Sequence, residues 1–144
     1  CHEARMTHTL ERRKLEVFFA MVTAGFGLWL LFPSQAMVSP ALGDLLRMTP
    51  EAAWSGMFLT NGLAHCAWLA VNGARWWSPI VRFGAAFCSF SLYLIWAASI
   101  RQYDPASTGV FTYTSLSAGA LACCVFAWRD ALTSVRVRRG IVDA

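Results

Sequence analysis

Charge is scarce in this chain. Asp, Glu, Lys and Arg make up 14% of its 144 residues, where an ordinary soluble domain carries about a quarter. That is too little to cover a water-facing surface. With 57% hydrophobic residues and a mean hydropathy of +0.47, the chain is expected to have lipid as its solvent. The motifs of common enzyme chemistry are also missing. No H-E-x-x-H, G-x-S-x-G or phosphate-binding loop occurs, and only His65 among the three histidines lies in an apolar run. No catalytic residue, metal site or cofactor is therefore expected, and the chain reads as a non-enzyme. It has no C-x-x-C among Cys1, Cys66, Cys88, Cys123 and Cys124. These read as small buried thiols, which excludes a quinone-linked disulfide oxidase built on cysteine pairs at an oxidising membrane face. The length is that of one domain, so neither a second domain nor the repeated bundles of a secondary transporter are expected. The net charge of +4 comes without a basic patch interleaved with aromatics outside the apolar runs. Nucleic acid is therefore not an expected partner.

What the chain does have is four apolar runs long enough to cross hydrocarbon, which takes about 20 residues per helix. They cover Leu15 to Phe32, Ala52 to Val71, Ile80 to Ile100 and Val110 to about Trp128, with no Asp, Glu or Lys in their centres. The expected fold is a single all-α domain, a four-helix transmembrane bundle. Thr49-Pro50-Glu51 and Ser78-Pro79 read as helix starts, with a capping hydroxyl followed by proline at the first helical position. Ser39-Pro40 opens a short amphipathic helix through Met48, expected on the membrane surface with Leu42, Leu45 and Leu46 opposite Asp44 and Arg47. Asp104-Pro105 and Ser107-Thr108-Gly109 are turn formers between antiparallel helices. At the N-terminus, Met6 is a candidate start. Leu15 to Phe32 reads as a span, with signal cleavage after Ala36 the minor alternative.

Basic residues set the orientation. Arg5, Arg12, Arg13 and Lys14 precede the first run, Arg75 and Arg82 lie between the second and third, and Arg129, Arg136, Arg138 and Arg139 follow the fourth, leaving only Arg47 and Arg101 opposite. The asymmetry predicts a multi-pass inner-membrane protein with cytoplasmic tails, 1–14 and 129–144. Arg12, Arg13, Lys14, Arg75, Arg82, Arg136, Arg138 and Arg139 read as lipid and topology anchors, Arg82 by snorkelling to the headgroups. Trp76, Trp77 and Trp128 are expected at the inner interface, and Trp29, Trp54, Trp96 and Tyr103 at the outer one.

Few residues could carry function. Asn61, His65 and Asn72 share one helical face and are either a pore-lining stripe or partners of neighbouring helices; the second reading has the greater weight, since no carboxylate in the spans offers His65 a proton relay. Thr112, Thr114, Ser115 and Ser117 either line a narrow aqueous path or bond back to carbonyls one turn earlier. Tyr93 needs a partner for its hydroxyl, and His65 or Asn61 would suit. Small-residue rows (Thr23 and Gly27; Gly62, Cys66 and Ala70; Ala85 and Ser89; Ser115, Gly119 and Cys123) let helices approach closely, within one chain or between copies.

Three stretches, Glu11 to Glu16, Gly27 to Leu31 and Pro105 to Val110, resemble small four-helix membrane proteins of phage and prophage genomes. The resemblance implies a bacterial or viral inner-membrane setting and carries over no active-site residue. Two function classes stay open: a homo-oligomer forming a holin-like pore or channel, and a structural or accessory subunit packing against a membrane-protein partner. The lipid bilayer is the expected partner in both.

Overall fold

A computed structural model describes residues 2–32, 40–71 and 77–138, with side chains described between residues 13 and 135. Cys1, Ala36, Ser39, Asn72, Arg75, Trp76 and Arg139, and the side chains of Arg5, Arg12, Arg136 and Arg138, lie outside what it describes. The protein is all-α, with no strand among the described residues. Helix α1 (His2–Trp29) is followed by a 3-10 turn (Pro40–Leu42) and α2 (Gly43–Met48). Three long helices then follow, α3 (Glu51–Ala70), α4 (Ser78–Tyr103) and α5 (Thr108–Arg138). Two of them, α4 and α5, are long and apolar enough to cross a membrane.

The long helices pair as two hairpins, α1 with α3 and α4 with α5, which meet along a seam. Glycine decides the first pairing. A Cβ on Gly27 would strike the backbone of Leu59, and one on Gly62 would strike that of Ala24. Ser55 adds a buried hydrogen bond to the Gly27 carbonyl at 2.8 Å. Gly27 and Gly62 thus serve packing within the chain, the closeness that small residues allow between helices. The second hairpin turns at Asp104 and Ser107, whose side-chain oxygens accept the N–H groups of Ala106 and Gly109 as expected for turn formers.

Both expected caps differ from the sequence reading. The α3 helix starts at Glu51 with Pro50 in the cap position, and α4 starts at Ser78 with Trp77 there; neither has a side-chain cap bond. Each helix begins one residue away from the position that would aim the hydroxyl at an orphan N–H group. The short helix differs too. Leu42 and Leu45 are buried against Trp54, Trp96 and Ile100, so its leucine face seats on the bundle while Asp44 and Arg47 stay exposed. Trp54 and Trp96, expected at an interface, are core residues, because both lie on seam-facing helical stripes. Trp29, Trp128 and Tyr103 are exposed. Cys123 and Cys124 are buried thiols, but Cys66 is half-buried and Cys88 faces outward.

Candidate functional site

The seam between the hairpins holds the buried polar groups, because each facing helix turns a regular stripe toward it. On α1 the stripe is Glu16, Ala20, Thr23 and Gly27, continued by Leu30 in the turn that follows, all buried at alternating spacings of four and three. On α4 it is Ser78, Arg82, Ala86, Ser89, Tyr93 and Trp96. Helices α3 and α4 run antiparallel, as their matched contacts show. Trp54 meets Trp96, Phe58 meets Tyr93, Asn61 meets Ser89, and Trp68 meets Trp77. That register brings His65 to the level of Arg82.

One end of the seam is ionic. Arg82 donates through Nε to Glu16 Oε2 at 2.9 Å and through Nη2 to Oε1 at 2.6 Å, a two-pronged pair with side chains only 2% and 1% exposed. Asp130 Oδ2 lies 3.3 Å from the same Nη2 and reaches the surface, with its side chain 46% exposed. A guanidinium suits this site because its planar fork matches a carboxylate and satisfies both oxygens at once. Arg82 is therefore a buried link between α1, α4 and α5 and not a snorkelling anchor. Snorkelling requires the headgroup to face lipid, whereas position 82 shares the seam face with Ser78 and Ser89. Arg13 and Lys14 are exposed at this end.

The middle of the seam is a hydrogen-bond network. Asn61 donates to Ser89 Oγ at 2.8 Å and to the Ala85 carbonyl at 3.2 Å. Thr23 Oγ1 donates to the Phe19 carbonyl and lies 3.2 Å from the Tyr93 hydroxyl. Tyr93 thus has an interior partner, as its position requires, but the partner is Thr23 and not His65 or Asn61. The far end is aromatic: Phe26, Phe58, Tyr93, Trp96 and Tyr113 form one cluster in which Tyr93 and Tyr113 stack and the other pairs are edge-on or tilted, with centroids 4.9 to 6.5 Å apart.

Among the described residues, four buried side-chain atoms meet no hydrogen-bond partner: both ring nitrogens of His65, Ser78 Oγ and Trp96 Nε1. His65 is 2% exposed and Ser78 fully buried. The Ser78 result follows from the shifted start of α4, since the hydroxyl expected to cap the helix sits inside its first turn. Of the other sequence candidates, Thr112 is exposed and bonds back to the Thr108 carbonyl at 2.9 Å, and Ser115 is exposed on the same helix. Ser117 is buried and donates to the Phe90 carbonyl of α4.

Sequence reasoning missed the carboxylates. Glu16 was legible in principle, because it falls seven residues before Thr23 and eleven before Gly27, on the small-residue face that packs inward. Asp130 had no such signal, since only the extension of α5 past Trp128 carries it to Arg82. The seam therefore contains a buried carboxylate where none was expected. Among the described residues no group of His, Cys, Asp and Glu could hold a metal ion. No protein-family model matches the chain, and no curated protein or solved structure matches it.

Proposed function

We propose that this chain is a multi-pass protein of a bacterial or phage-associated inner membrane, with all four long helices spanning the bilayer and the ionic end of the seam on the cytoplasmic side. Its work is that of an accessory subunit that packs against a membrane partner. The observation that carries the bilayer reading is the inverted polarity of the bundle. Glu16, Arg82, His65, Ser55 and Ser89 are buried, while Phe18 and Met21 of α1, Leu63 of α3, Phe87 of α4 and Phe111 of α5 are exposed. An outer surface of that kind suits lipid and would aggregate in water. The lower hydropathy of α3 has a local reason: Asn61 and His65 depress its average, yet both turn inward. Helix α1 likewise mixes the basic cluster before Leu15 with its apolar part, which continues through the turn at Leu30 to Phe32.

The choice of an accessory role rests on where the polar stripe goes. Asn61 and Tyr93 are engaged inside one protomer and Gly27 and Gly62 are used between α1 and α3, which supports a packing role for them over pore lining between copies. A holin-like oligomer keeps one supporting feature, the exposed hydroxyls of Thr112, Thr114 and Ser115 on α5. Controlled expression separates the two. Stable accumulation in carbonate-resistant membranes with unchanged membrane potential is expected. Abrupt potential loss that Thr112→Ala/Ser115→Ala abolishes would instead establish the pore, and extraction by carbonate would remove the bilayer reading altogether.

A further inference from the structure

Two of the unpartnered polar side chains, His65 and Ser78, lie toward the same end of the seam. Ser78 precedes Arg82 by one helical turn on the same buried face of α4, and His65 of α3 stands at the level of Arg82. An imidazole and a hydroxyl sealed from hydrogen-bonding partners are costly, and native proteins satisfy such groups with internal water where the surroundings are polar. Here they are polar. Glu16 of α1, Arg82 of α4 and Asp130 of α5 border the same end, and the partly exposed Asp130 side chain joins that cluster to the surface. In the other direction the Asn61, Ser89, Thr23 and Tyr93 network leads to the aromatic cluster, where Phe26, Phe58 and Trp96 close the way.

We propose that this end of the seam is a hydrated vestibule that admits water past Asp130 as far as His65 and is stopped by the aromatic cluster, making the bundle a half-channel closed at one end. The ligand class is water itself, held by the His65 ring nitrogens and the Ser78 hydroxyl. The vestibule rests on the bilayer reading only for its assignment to the cytoplasmic side.

Trp96 supplies the internal control, because its indole N–H is also buried and unpartnered but lies among aromatic rings. The test uses the full chain in lipid bilayers, carrying His2→Ala and His8→Ala so that His65 is the sole histidine. With 15N-labelled histidine and tryptophan, magnetisation transfer from water to the ring nitrogens is followed by NMR, and the Trp96 signal is identified by its loss in Trp96→Phe. Transfer to His65 is expected to build up about tenfold faster than transfer to Trp96. Equal rates at the two sites, or a dry His65, would overturn the vestibule. Transfer from lipid acyl chains to Phe87 and Phe111, read in the same samples, tests the bilayer independently, so failure of one reading is distinguishable from failure of the other.

Discussion

The two ends of the seam join the same pair of hairpins by different physics. At the ionic end, Arg82 is held by Glu16 and approached by Asp130, and stability depends on every member having its partner. At the aromatic end, Phe26, Phe58, Tyr93, Trp96 and Tyr113 form a cluster in which each ring touches several others. Loss of one ring there leaves a cavity, and loss of one charge at the other end leaves an uncompensated ion. The contrast shows how a small bundle can be both specific and tightly closed: directional pairs set which helices meet and in what register, while shape and contact area seal the interior.

The largest expected effect breaks the ionic end. Arg82→Leu strands the Glu16 side chain and is expected to destabilise the bundle by about 3–5 kcal/mol, measured by reversible unfolding in mixed micelles. The double variant Glu16→Leu/Arg82→Leu should regain most of that loss. A double variant as unstable as the single one would show that packing, and not the pair, governs this end. Next comes the aromatic end, where Trp96→Ala is expected to cost about 3 kcal/mol through the cavity that it opens.

Smaller effects follow between and outside the two ends. Asn61→Leu removes the bonds to Ser89 and Ala85 and should cost about 1 kcal/mol by the same unfolding measurement, in the range of interhelical hydrogen bonds in membranes. Thr112→Ala removes only a bond back to its own helix and should change stability by less than about 0.5 kcal/mol. If Asn61→Leu were as harmful as Arg82→Leu, the middle of the seam and not its ionic end would be the principal polar tie.

Much of the helical architecture was legible from residue order. The apolar runs, the turn at Asp104 to Gly109 and the close-packing rows at Gly27 and Gly62 express local rules, namely helical period, turn chemistry and the absence of a Cβ. The short helix was legible as well, although its leucines face the bundle, since amphipathicity reveals an apolar face without naming what covers it. The site was less legible. Asn61, His65 and Tyr93 stood out as polar groups in apolar surroundings, whereas Glu16 and Asp130 fell near the ends of the runs and looked like flank residues.

By itself, the sequence determined that its apolar runs form helices, which faces are small or apolar, and that polar side chains would need partners. The tertiary structure alone decided that Arg82 turns inward to Glu16, that Thr23 and not His65 serves Tyr93, and that Trp54 and Trp96 are core. The reason is physical: the face on which a residue lies follows from a helical repeat a few residues long, but its partner depends on the azimuth and register of helices far away in the chain, as Glu16 and Arg82 are at a separation of 66.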